Sequence, residues 1–228
     1  MTTKHLVGTY TAGYALQSPT TTLSIAASGY VGGKGVYTPA SDSGPYTIVN
    51  AGRIVDVQNF RYDGVYLGHG GSVTNGSSRT TSALIQGFDT VTNFGTIAGA
   101  GGATVEFETS SNELIVEADS RFIGAVQGGG STLVLASGLG SVSLVQTAGG
   151  MNETVTGSMD RTVFFATVEV GAGAAFTVTD DAVIEAGQSL VAAGGALTFA
   201  KAITGAGAIE AGAGGTLAVE PRRPRPWR

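Results

Sequence analysis

Short runs of β-branched and apolar residues recur along this chain, each followed by glycine, asparagine or serine. Examples are Thr22–Ala26, Tyr46–Val49, Val65–Leu67, Ala83–Ile85, Thr104–Phe107, Leu114–Val116 and Thr132–Leu135. The steps from Ile48 to Leu67, Leu67 to Ile85, Ile85 to Val105 and Ile115 to Leu133 are nearly equal, each about twenty residues, within the range of repeat architectures. No stretch places apolar residues at the i, i+3, i+4, i+7 spacing of an amphipathic helix. Runs this short are strands, and the small residues between them are turns. A fixed recurrence of such units marks a solenoid, in which each coil stacks on the last. The reading is all-β: one right-handed parallel β-helix of roughly ten coils, with strands about 4.8 Å apart and inward residues forming apolar ladders.

Composition agrees with that architecture. The 228 residues include 37 glycines, more than twice the usual share of about 7 %. Glycine suits corners where the chain needs positive φ. With 42 % hydrophobic and 13 % charged residues, disorder driven by charge and low hydropathy is excluded. The 6 prolines and the lack of a strict recurring glycine period exclude collagen. Cysteine is absent, so there is neither a disulfide framework nor a thiolate metal site.

The domain reading has three parts. Residues 1–20 are read as an N-terminal cap or leader and residues 21–220 as the β-helix. Residues 221–228 are a Pro/Arg tail outside any ladder, since proline cannot donate to one. A loop or wide turn is expected at 149–161, where Met151-Asn152-Glu153 and Ser158-Met159-Asp160 break the pattern. The tail holds four of the 12 basic residues, leaving eight against 17 acids and a net charge of −9 on the rest. An acidic body is a poor partner for nucleic acid, whose phosphates need Lys and Arg. Neither a secretory signal nor a run of about 18 apolar residues is visible, so membrane insertion by this segment is not expected.

A finer repeat lies within the larger one. Ser72-Val73-Thr74-Asn75 is echoed by Thr90-Val91-Thr92-Asn93, with the asparagines one such step apart. Stacked on successive coils, such residues would form a hydrogen-bonded ladder, because Asn tolerates turn conformations and bonds nearby backbone. Further on, Ile-Glu-Ala-Gly occurs at Ile184 and again at Ile209. These phrases, above all Ile203 to Val219, resemble the passenger repeats of bacterial autotransporter adhesins and related haemagglutinin-like surface proteins. The resemblance spans most of residues 60–220 and is built of Gly, Thr, Val and Asn. It implies a displayed or secreted bacterial β-helix, structural or adhesive. The implied partners are host or matrix carbohydrate or protein, or further copies of the chain.

Catalytic chemistry finds little support. Gly68-His69-Gly70 matches a motif of β-helical polygalacturonases, but those enzymes need neighbouring carboxylates. The only Asp pair, Asp180-Asp181, lies far down the chain, on the wrong side of the histidine for that resemblance. Glu106 and Glu108 share a strand face, with Asp119 and Arg121 following; a Ca²⁺ or lyase site would need them brought together with more oxygen ligands. Gly32-Gly33-Lys34-Gly35 lacks the first glycine and the hydroxyl residue of a phosphate loop. Asp63 and Asp160-Arg161 read as turn or surface residues. The expectation is a non-enzyme without catalytic, cofactor or metal residues. The alternative is a polysaccharide-active lyase or hydrolase of the same fold, or a passive spacer ahead of a processing domain. Thr-rich runs such as Thr20-Thr21-Thr22 raise an ice-binding reading, but a flat ice face needs regular Thr ranks on successive coils, and that regularity is not found. Tyr10, Tyr14, Tyr30, Tyr37 and Tyr46 crowd the first fifth of the chain and are expected to cover the open end of the stack, since terminal coils need caps.

Overall fold

A computed structural model describes residues 2–39, 46–54, 65–67, 71–75, 85–86, 90–107, 110–118, 120–147, 150–155, 159, 162–163 and 165–220. The described residues are all β, without helix, and stack as a β-solenoid of about seven turns. Among them no helix is long and apolar enough to cross a membrane.

The longest sheet contains ten strands in chain order: Thr2–Leu6, Thr20–Ile25, Tyr46–Asn50, Gly71–Asn75, Thr90–Asn93, Glu113–Val116, Thr132–Leu135, Thr167–Gly171, Ser189–Ala193 and Ala208–Ala211. Every neighbour in it is parallel. Parallel pairing between consecutive strands demands that the chain travel round and return between them, and the intervening residues supply the other faces. Seven further strands, beginning with Tyr14–Ala15 and ending with Thr162–Val163, form a second sheet. Shorter sheets of five, three and two strands complete the section.

Alternation explains why these sequences occupy these strands. Glu113–Val116 and Thr132–Leu135 each place their second and fourth residues inward, fully or nearly buried, and their first and third outward. One interior ladder runs through Leu23, Ile48, Val73, Val91, Leu114, Leu133, Val168 and Leu190, all at most 3 % exposed. Burying each such side chain contributes about 1.5–3 kcal/mol, and apolar neighbours at every level keep the column filled. On the second sheet Val36, Val65, Val105 and Val126 do the same. The solenoid therefore has a continuous core along its axis.

Corners need glycine where the backbone crowds the coil before. At Gly71 φ is +145°, and a Cβ there would sit 2.2 Å from the Tyr46 carbonyl oxygen. At Gly205 φ is +117°, with the Ile184 oxygen 2.0 Å from the equivalent point.

Two segments differ from the sequence reading. Thr2–Leu6 pairs in parallel with Thr20–Ile25, so the segment read as a cap or leader already contributes a rung to the long sheet. Gly150–Val155, read within a loop, is a strand. It folds back antiparallel on Gly138–Thr147, the one antiparallel strand pair among those described. A hairpin returns the chain locally rather than round the coil, which is why the repeat pattern lapses there.

Candidate functional site

The most distinctive interior feature is a column of asparagines. Register places Asn50, Asn75 and Asn93 one above another at the same inward position of successive rungs. All three are buried. Asn50 Nδ2 donates to Asn75 Oδ1 at 3.0 Å, and Asn75 Nδ2 donates to Asn93 Oδ1 at 3.0 Å. The outer members also hold the turns: the Gly52 and Gly95 amides donate to Asn50 Oδ1 and Asn93 Oδ1, each at 3.1 Å. Asn93 Nδ2 returns a bond to the Gly95 carbonyl at 2.9 Å, and Asn75 Nδ2 reaches the Thr96 carbonyl at 3.4 Å. The column is apolar on both sides, with Ile25 stacked on Asn50 and Val116 on Asn93. These amides are thus a structural clamp, spent on one another and on backbone. The short step between Asn75 and Asn93 was legible in sequence; Asn50, a longer coil before Asn75, was not.

The outer surface of the same sheet is the other organised feature. Thr22, Thr47, Ser72, Thr90, Glu113, Thr132, Thr167 and Ser189 lie in register as one outward rank. At the next outward position along each strand, Ser24, Val49, Thr74, Thr92, Ile115, Val134, Glu169 and Val191 form a second. The first rank is hydroxylic at every one of these rungs except Glu113. Neighbouring hydroxyls bond along it: Ser72 Oγ donates to Thr47 Oγ1 at 3.3 Å, and the Thr167 and Ser189 hydroxyls lie 3.0 Å apart. The regularity missing from the linear sequence is therefore present in space. Coil lengths hide it, since the step from Thr132 to Thr167 is nearly twice the step from Ser72 to Thr90.

The tyrosines divide. Tyr10 stands over Val31, and Tyr14 over Val36, the residues that begin two interior ladders; both rings pack against the core. They meet edge to face, with centroids 5.7 Å apart. Burial, together with the Tyr10 phenol beside it, raises the Tyr14 pKa above its usual value. Tyr30 and Tyr37 instead carry cations over their rings, with Arg53 and Lys34 each 5.8 Å from the centroid. Tyr46 is buried.

The residues weighed for catalysis do not assemble. Gly68-His69-Gly70, Asp63, Glu108, Asp119 and Asp160-Arg161 lie outside the described residues. Asp181 is exposed, and its Oδ1 accepts the Ala202 amide at 3.1 Å, tying one coil to the next. Asp180 accepts from the Thr179 hydroxyl at 3.4 Å. Glu106 stands opposite Gln127 while Arg121 stands opposite Thr96, at the far end of the same strand, so register separates the two. Among the described residues no group of three or more His, Asp or Glu could hold a metal ion. Lys34, in the glycine-rich Gly32–Gly35 turn, lies over the Tyr37 ring.

At the other end the apolar ladders surface. Ile209 continues the Leu190 column, and Leu217 and Val219 lie under Leu197 and Phe199. Leu190, Leu197 and Phe199 are at most 3 % exposed, whereas Ile209 and Leu217 are 37 % and Val219 is 74 % exposed. Comparison with protein-family models, curated proteins and solved structures finds no match for the chain.

Proposed function

We propose that this chain is a rigid segment of a bacterial surface-displayed or secreted protein, a right-handed β-helix of the autotransporter-passenger kind with a structural or adhesive role. The observation that carries the reading is the ten-strand parallel sheet with its in-register ladders. Such a stack holds a long, repetitive outer surface in fixed geometry, and each coil contributes the same small set of outward positions. Affinity in an adhesive rod accrues from many weak contacts spread along that surface. The partner class is host or matrix carbohydrate or protein. Further copies of the chain are a second partner class.

Glycan-array and cell-binding measurements with the purified chain test the adhesive role, and sedimentation velocity at micromolar concentration tests association. Saturable binding to cells, matrix or glycans supports the first mode. Concentration-dependent assembly supports the second. Release of reducing or unsaturated sugars from pectin-like polymers, lost on His69→Ala or Asp181→Ala, would replace both with an enzyme of the same fold.

A further inference from the structure

On four successive rungs the outward face carries Thr22 and Ser24, Thr47 and Val49, Ser72 and Thr74, then Thr90 and Thr92. Seven of these eight positions are hydroxyls, the eighth is a methyl-bearing valine, and none is charged. The pairings joining these rungs show no register shift, unlike the bulged first pair at Thr2/Thr3. The array is therefore two-dimensional and regular. Along the solenoid axis its members repeat about every 4.8 Å, and across each strand the two ranks stand about 6.6 Å apart, twice the rise per residue.

From this array we infer that the Thr22–Thr92 face binds the surface of ice. Three features single out that occupant. The rung spacing is close to the short repeat of oxygen rows on a prism face of hexagonal ice, so bound water can match the lattice along the solenoid axis. Each threonine presents a hydroxyl and a methyl together, so water is anchored by one and ordered around the other. The rank is preorganised: β-branched side chains are stiff at χ1, and Ser72 donates to Thr47 along it, so little rotamer freedom is lost on binding. A polysaccharide chain fits less well, since the eight positions offer it no aromatic platform and no charged hydrogen-bonding group, and its sugar step is longer than the rung spacing.

This face is separate from the surfaced ladder end, and the inference does not depend on the adhesive reading. The test is incorporation of purified, fluorescently labelled chain into a slowly growing ice hemisphere, with inhibition of ice recrystallisation as a second readout. Thr74→Tyr and Thr92→Lys disrupt the middle and edge of the array, and Thr198→Tyr, on the five-stranded sheet, is the control. Melting followed by circular dichroism identifies which variants remain folded. The expected result is incorporation by the parent and by Thr198→Tyr, and exclusion of whichever array variant stays folded, to the level of an inert protein. Exclusion of the parent from ice overturns the inference. So does full incorporation of a folded array variant, or pull-down of the parent by crystalline cellulose or chitin without incorporation into ice.

Discussion

Replacing Asn75 with leucine removes the middle of the asparagine column while keeping the number and branching of its heavy atoms. Asn75 accepts from Asn50 Nδ2 and donates to Asn93 Oδ1. Without it, Asn93 Oδ1 retains the Gly95 amide, but the Asn50 amide faces a hydrocarbon in a position 2 % exposed. A buried donor without a partner costs about 1–3 kcal/mol. With the lost bond to Asn93 added at about 1 kcal/mol, Asn75→Leu is expected to destabilise by about 2–4 kcal/mol. For a chain of this size each kcal/mol lowers Tm by about 2–4 °C, giving a drop of about 5–15 °C. Combining Asn75→Leu with Asn50→Leu removes the orphaned amide, so the double variant should fall short of the summed single costs by about 1–2 kcal/mol. Urea unfolding followed by far-ultraviolet circular dichroism measures all three variants. A single-variant cost below about 0.5 kcal/mol, the range of an ordinary surface substitution, or strictly additive costs would refute the clamp.

Other expectations follow from individual positions. Leu114→Ala empties a fully buried ladder position and should cost about 2–5 kcal/mol in the same urea assay. Gly71→Ala combines a positive φ with a Cβ in contact with the Tyr46 carbonyl; the variant should melt well below the parent, and an unchanged Tm would show that this corner is not crowded. Tyr14 binds its proton more tightly folded than unfolded, because burial and the Tyr10 phenol raise its pKa. Its contribution is therefore complete below the unfolded value of about 10 and is lost as pH rises through the folded value. Tyr14→Phe should flatten the alkaline fall in Tm measured above about pH 10, and an identical fall in both proteins would count against the assignment.

How much of this was legible in the sequence depends on distance along the chain. Strands and turns are local, so Glu113–Val116 and Thr132–Leu135 could be read from alternation alone, and the near-equal steps between such runs were enough to give a solenoid. What stacks on what depends on coil length, which varies. Asn75 and Asn93 stand one short coil apart and were paired on sequence, whereas Asn50 sits across a longer coil and escaped notice. The hydroxyl rank was missed for the same reason, its longest step running from Thr132 to Thr167. Glu106 and Arg121, less than a full period apart, could share an outer face only through an irregular register, and the strand pairing stands them at opposite ends. The antiparallel return of Gly150–Val155 is a choice of tertiary partner, and nothing in Met151-Asn152-Glu153 specifies it.

The absence of cysteine allows the register itself to be read by cross-linking. Thr132 and Thr167 stand directly opposite on neighbouring rungs, while Glu169 lies at the next outward position of the second strand, opposite Val134. Facing positions on adjacent strands fall within the Cα separation a disulfide spans, whereas a slip to the next outward position exceeds it. Introduced as Thr132→Cys with Thr167→Cys, the aligned pair should oxidise to an intramolecular disulfide in the folded chain. Introduced as Thr132→Cys with Glu169→Cys, the slipped pair should stay reduced under the same conditions. Faster bridging of the slipped pair, or equal rates for the two, would contradict the stacking on which both the asparagine column and the hydroxyl face depend.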